Sequence, residues 1–275
     1  MSTESNNPRS RDIAEKSTAE IVRIINDEDF QAFKAVKGNL PAVAKAAEIC
    51  FSSIEKGGRV IYVGAGTSGR IAVQDIVELE PTYGLDSRYF VYVMAGGEGA
   101  LLKSQEGSED DTGAAIPKMK EIKLTSSDAV VGISASGRTP FVLSALKFAN
   151  ETGSYTIGIV NNADSAIEKV ASHCVVLDTG PEVIQGSTRM KAGTSQKLAL
   201  NAISTTVAIK LGRVYHNMMS YMGVTYNKKL TERAISFLMN EFGISKDVAT
   251  STLESSGYKL WEAIEKLRGN TAKTE

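Results

Sequence analysis

From Val60 to Leu177 the chain repeats one pattern: a short, unbroken apolar run rich in β-branched residues, a polar turn, then apolar positions at helical spacing. The runs fall at Val60–Val63, Tyr89–Met94, Ala129–Ile133, Thr156–Val160 and Val175–Leu177. A strand buried on both faces shows no in-out alternation, so continuous apolar strands separated by helices predict a parallel sheet covered on both sides. The expected class is α/β: a three-layer sandwich with a central parallel sheet flanked by helices.

Outside this core the pattern is helical. Ser17-Thr18-Ala19-Glu20 has the form of a capping box and opens a short helix through Ile21, Ile24 and Ile25. A second helix starts near Leu40, carries Val43, Ala46, Ala47 and Cys50 on one side, and stops at Gly57-Gly58. A long helix runs through Leu198, Leu200, Ile203, Val207 and Ile209. After Tyr226 come three short amphipathic stretches, Leu230–Phe242, Ser245–Ser255 and Lys259–Leu267, separated by Gly243 and Gly257. The division expected is an N-terminal helical arm over residues 1–39, the sheet domain over 40–226 and a three-helix appendage over 227–275.

Composition narrows the function. With 275 residues and 42% hydrophobic content the chain can bury a substantial core. A formal net charge of -1 gives no basic excess for a nucleic-acid backbone. No apolar run reaches membrane-spanning length, and the polar N-terminus lacks the apolar centre of a signal peptide, so a cytoplasmic location without membrane partners is expected. Cys50 and Cys174 lack the spacing of metal ligands and read as buried thiols; no metal is expected.

Chemistry concentrates in the turns. The first strand runs into Gly64-Ala65-Gly66-Thr67-Ser68-Gly69-Arg70, and the third into Ser134-Ala135-Ser136-Gly137-Arg138-Thr139-Pro140. Glycines allow close backbone approach, N–H groups at a helix start attract anions, and hydroxyls complete a donor set, so the natural occupant is a phosphate. The first turn also satisfies G-x-G-x-x-G, but the second strand ends in Ala95-Gly96-Gly97 rather than in the carboxylate that a dinucleotide's ribose requires. No G-x-x-x-x-G-K-[ST] is present, which speaks against a P-loop. A third polar segment, Gly180–Lys197, brings Ser187, Thr188 and Lys191 to the start of the long helix.

Acid–base groups are fewer. His173 and His216 read as structural, which leaves glutamates as the better candidates. Glu78 and Glu80 precede Pro81-Thr82-Tyr83-Gly84, and Glu109-Asp110-Asp111 is most simply a solvated helix face. Spacing alone does not select a pair.

Taken together, Gly64–Arg70, Asp75, Glu78, Pro81–Gly84, Glu106–Asp110, Val131–Pro140 and above all Gly180–Lys197 resemble the N-acetylmuramic acid 6-phosphate etherase family of the sugar isomerase (SIS) superfamily. The resemblance implies an SIS-type sandwich, a ubiquitin-associated-like C-terminal appendage, and a carbon–oxygen lyase acting on N-acetylmuramate 6-phosphate in recycling of cell-wall sugar. It implies no cofactor, a sugar phosphate as ligand and a homodimer. By motif position it makes Glu78 the acid for the departing lactyl oxygen and Glu109 the base at C2. Ser68, Ser134, Ser136 and Thr139 become the phosphate ligands, with Gly66, Thr67, Ser187, Thr188 and Lys191 completing the sugar pocket. A glutamate that donates a proton near neutral pH needs a raised pKa, and Glu80 stands where the family usually has an uncharged residue. Two alternatives within the same superfamily stay open: an aldose–ketose sugar-phosphate isomerase, and a sugar-phosphate-binding regulator without chemistry.

Overall fold

The computed structural model describes residues 2–219 and 228–271. Three short 3-10 turns lead into α1 (Thr18–Lys37) and α2 (Leu40–Glu55). There follow β1 (Val60–Gly64), α3 (Gly66–Val77), α4 (Leu79–Tyr83), β2 (Phe90–Met94), α5 (Gly99–Leu102) and α6 (Thr112–Glu121). Then come β3 (Ala129–Ser134), α7 (Pro140–Thr152), β4 (Tyr155–Val160), α8 (Ala166–Val170), β5 (His173–Val176) and α9 (Lys191–Lys210). A small antiparallel hairpin, β6 (Val214–Tyr215) and β7 (Met218–Met219), precedes α10 (Lys228–Phe242), α11 (Lys246–Ser255) and α12 (Leu260–Thr271).

The main sheet is parallel throughout, in the order β2-β1-β3-β4-β5. Every residue of β1 and β3 is buried, which is what unbroken apolar runs require. On one face Ile61 and Val63 join Met119, Phe141, Val142 and Leu146 in a cluster built with α6 and α7. Tyr62 points the other way, where Cys50 of α2 and Asp75 of α3 lie close enough to act on its hydroxyl. Helices therefore cover both faces, giving the three expected layers.

The expected elements form, with three differences. The helix opened by Ser17 is 20 residues long, and its capping box is present in full. Its buried face is Glu28, Ala32, Ala35 and Val36, which lie beyond the Ile21, Ile24 and Ile25 that mark the helix in the sequence. The last strand starts at His173, two residues before the expected run, because His173 and Cys174 pair with Ile157 and Gly158. Glu109-Asp110-Asp111 is not a helix face: it lies before α6, and Asp111 caps that helix by accepting from the N–H groups of Gly113 and Ala114.

Two compact units are present. One comprises the chain up to Ile76 with Ser87–Val207, so α1 belongs to the same unit as the sheet. The other comprises Val77–Asp86 and the described residues from Ala208 onward, with its own core of Ala234, Leu238, Leu253, Leu260 and Ile264. The expected boundary at 226/227 lies outside the described residues.

Candidate active site

In an open α/β sheet a ligand binds outside the carboxyl ends of the strands where the order reverses, and in the order 2-1-3-4-5 that point lies between β1 and β3. The two glycine- and hydroxyl-rich turns leave those two strands. Topology and sequence thus select the same crevice by independent routes.

The first turn holds two kinds of glycine. Gly64 and Gly69 touch backbone to backbone, and a Cβ on Gly64 would lie 2.8 Å from both N and Cα of Gly69. Gly66 has φ 52° and open space around it, so it serves the turn's left-handed conformation and leaves the crevice clear. Ser68 is buried, and its hydroxyl donates to Gln196 Oε1 at 2.8 Å. Gln196 in turn donates to Asn161 Oδ1, and Asn161 donates to the Leu177 carbonyl and to Ser195 Oγ. Arg70 turns its guanidinium onto the carbonyls of Ala100 and Leu101, fixing α5.

The second turn is a hydroxyl cluster. Ser134 Oγ lies 2.7 Å from Thr139 Oγ1 and 3.3 Å from Ser136 Oγ. The N–H of Gly137 donates to Ser134 Oγ and that of Arg138 to Ser136 Oγ. Gly137 has φ 65°, and a Cβ there would meet Ser165 Cβ at 2.4 Å. Pro140 opens α7, where the Phe141 N–H donates to the Glu109 carbonyl and that of Leu143 to the Thr139 carbonyl. Three of the four expected phosphate ligands therefore converge; Ser68 is engaged by Gln196 instead.

Beside the first turn lies a cavity of about 340 Å³ lined by Gly66, Arg70, Gln105, Ser108, Glu109 and their neighbours. Glu109 is tied to the second turn by its backbone, for its carbonyl accepts the N–H of Phe141 at 3.0 Å. The cavity wall that carries this carboxylate is thus anchored to the first turn of α7. Glu78 is exposed at the N-cap of α4, within the other compact unit.

The third segment is held from within. Glu182 is fully buried and accepts the N–H groups of Lys191 and Ala192, so it satisfies the start of α9. Lys191 is also fully buried, and its ammonium pairs with Glu28 of α1 at 2.5 Å. The expected sugar-pocket cation is therefore occupied by a carboxylate more than 160 residues away in sequence. Ser187 and Thr188 sit half-buried in the turn before α9, and Thr67 packs near Gly193 at its start.

Other nucleophiles are blunted. Burial pushes the thiols of Cys50 and Cys174 up to about 12, so neither is a thiolate at neutral pH. Among the described residues no cluster of three or more His, Cys, Asp or Glu side chains could hold a metal ion, and no helix is long and apolar enough to cross a membrane. What the crevice offers is a cluster of three hydroxyls at the second turn and, beside the first, a cavity lined in part by the exposed Glu109.

Similarity to known proteins now bears on that arrangement. The chain is 44% identical over 271 residues to the N-acetylmuramic acid 6-phosphate etherase of Bacillus subtilis, covering 98% of this chain and 89% of that one. It is 43% identical to the enzyme of the same name from Caldanaerobacter subterraneus, covering 98% and 88%. The chain belongs to the N-acetylmuramic acid 6-phosphate etherase family.

The family's superfamily is visible too. Residues 106–205 match the SIS domain model, and residues 42–150 match that of the glucokinase regulatory protein N-terminal SIS domain. Among solved structures, a phosphoheptose isomerase from Neisseria gonorrhoeae is similar with TM-score 0.54 at 19% identity, covering 70% of this chain and 98% of that one. A phosphoheptose isomerase from Francisella tularensis gives TM-score 0.52 at 18% identity, again covering 70% and 98%. At such identities the likeness is one of fold. Within the etherase fold, sequence reasoning passed over Gln196, Asn161 and Glu28. Gln196 alone had a local signal: a polar residue in helical register with the apolar Leu200, Ile203 and Val207 of α9.

Proposed function

We infer that the chain cleaves the D-lactyl ether of N-acetylmuramate 6-phosphate, releasing N-acetylglucosamine 6-phosphate and D-lactate, as a carbon–oxygen lyase of cell-wall sugar recycling. The observation that carries the reading is 44% identity over 98% of the chain to an etherase of that activity; the hydroxyl cluster after β3 and the cavity that Glu109 helps to line support it. The phosphate is held by Ser134, Ser136 and Thr139 with the N–H groups of their turn, and by Ser68 of the first turn, whose hydroxyl donates to Gln196. Gly66, Thr67, Ser187 and Thr188 face the remainder of the sugar.

Ring opening exposes the C1 aldehyde, which acidifies the hydrogen on C2. Glu109 takes that proton; the C3–O bond then breaks as Glu78 protonates the departing lactyl oxygen, and a C2=C3 double bond forms. Water adds across it, its oxygen to C3 and a proton to C2, so that one water is consumed per ether cleaved. Position in the family motif supports the Glu78 role, and the cavity wall supports that of Glu109. No cofactor enters this sequence of steps.

The test follows both half-reactions. Glu109→Gln is expected to abolish exchange of the C2 hydrogen with solvent deuterium, and retained exchange at the wild-type rate removes Glu109 as base. Glu78→Gln is expected to slow lactate release more than exchange; equal losses in both steps remove it as acid. Binding of the sugar phosphate without lactate release favours a regulator, and conversion of hexose phosphates alone favours an isomerase.

The protein works as a cytoplasmic homodimer in this reading. Phe30 and Phe33 of α1, both more than half exposed, support a second copy as their cover. A sedimentation mass of one chain overturns it.

A further inference from the structure

We propose that Glu28 is a positioning residue of this reaction: with Lys191 it forms a buried latch through which the N-terminal arm holds the Gly180–Lys191 segment and the phosphate turn in their binding geometry. The proposal rests on the etherase reading for what the latch serves, but not for its existence.

The latch is built as follows. Glu28 is 1% exposed and Lys191 0%. Glu28 Oε2 accepts from Lys191 Nζ and from Asn7 Nδ2, while Oε1 accepts from Arg9 Nε. Two charges removed from water this completely are retained only when paired and hydrogen-bonded, and here every oxygen of the carboxylate is engaged. Lys191 is the first residue of α9, so the pair fixes where that helix begins.

From Glu28 the arm spreads over the segment. Asn7 donates to the Pro181 carbonyl, Ser10 to the Val183 carbonyl at 2.6 Å, and Gln185 donates back to the Glu4 carbonyl. At its tip, Ser2 and Thr3 donate to Asn162 Oδ1, and Asn162 Nδ2 donates to Thr3 Oγ1 and to the carbonyl of Ala135. Ala135 lies between Ser134 and Ser136. One strap thus reaches both the turn carrying Ser187 and Thr188 and the hydroxyl cluster expected to hold phosphate. The ammonium of Lys191 serves this strap rather than a ligand.

The experiment uses the full chain with Glu28→Gln, Lys191→Met and the double variant. Amide hydrogen exchange is read over residues 2–10 and 182–192, and KM and kcat for N-acetylmuramate 6-phosphate are measured alongside. Glu28→Gln is expected to speed exchange in both stretches at least tenfold and to raise KM by about tenfold to a hundredfold while kcat falls less, since small misplacements of binding groups have effects of that size. The double variant is expected to recover most of the loss, because it leaves no unpaired buried ammonium. Unchanged exchange in Glu28→Gln overturns the proposal. So does a double variant no better than Lys191→Met, which would make the ammonium a substrate ligand. Should Glu28→Gln not fold, Asn7→Ala/Ser10→Ala takes its place, with the same loosening expected and unaltered exchange again decisive. If the wild-type protein releases no lactate, the etherase reading fails, while the exchange measurements still decide the latch.

Discussion

Two glycines two residues apart in the first turn should fail in different ways. In Gly64→Ala the new Cβ meets Gly69 N and Cα at 2.8 Å, where carbon contacts normally sit near ~3.5–4.0 Å. The obstruction is backbone at the start of α3, so the helix must move by most of an ångström away from β1. Overpacking of this kind typically costs about 1–3 kcal/mol, which for a unit of this size lowers Tm by roughly 2–12 °C at about 2–4 °C per kcal/mol. Gly66→Ala meets nothing within 4 Å, and its penalty is the left-handed conformation at φ 52°, about 1–2 kcal/mol. Restriction of the unfolded chain returns about 0.4–1 kcal/mol of that. The net loss is small, but the methyl group enters the cavity that Gly66 lines. Thermal melts together with binding of N-acetylmuramate 6-phosphate separate the two. Gly64→Ala should lose stability first, whereas Gly66→Ala should keep its fold and lose affinity. If Gly64→Ala melts with the wild type and binds normally, the account of backbone contact between β1 and α3 is wrong.

Ser134→Ala should raise KM for the phosphorylated sugar by about tenfold or more, since a lost hydrogen bond to a charged group is worth ~1.5–3 kcal/mol, while the affinity for an unphosphorylated analogue stays unchanged; equal losses for both would refute a phosphate contact. The latch also sets a pH dependence. Burial pulls the Glu28 carboxyl upward, but Lys191, Asn7 and Arg9 outweigh it and hold the group below its ordinary 4.5. Its folded pKa is lowered, so its contribution is complete above about 4.5 and is lost as pH falls through the folded value. The difference in Tm between wild type and Glu28→Gln should therefore be constant from neutral pH down to about 5 and shrink below that. A difference that grows on acidification refutes the assignment.

Much of this was legible in the chain because the cues were local. Unbroken apolar runs gave the parallel sheet, Ser17 and Glu20 gave a helix start, and Ser134 to Thr139 gave a hydroxyl cluster whose members are within five residues of each other. What stayed hidden depends on partners distant in sequence. Ser68 looked like a free ligand until Gln196 claimed its hydroxyl, and Lys191 looked like a pocket cation until Glu28 claimed its charge. Glu109-Asp110-Asp111 looked uniform, yet Glu109 helps to line the cavity and Asp111 caps α6. Local spacing says which groups a residue can offer; only tertiary packing says which are already taken.

In the proposed reaction the hydrogen bond from the Phe141 amide to the Glu109 carbonyl would make substrate anchoring and proton abstraction parts of one lever. The residue that would deprotonate the sugar hangs from the helix that directly follows the phosphate turn, so a shift of that turn would be passed on to the base. Remote binding energy can then be spent on aligning the reacting atoms. A sugar lacking its phosphate would be turned over slowly even at saturation, and selectivity for phosphorylated sugars would be expressed in the chemical step as well as in affinity.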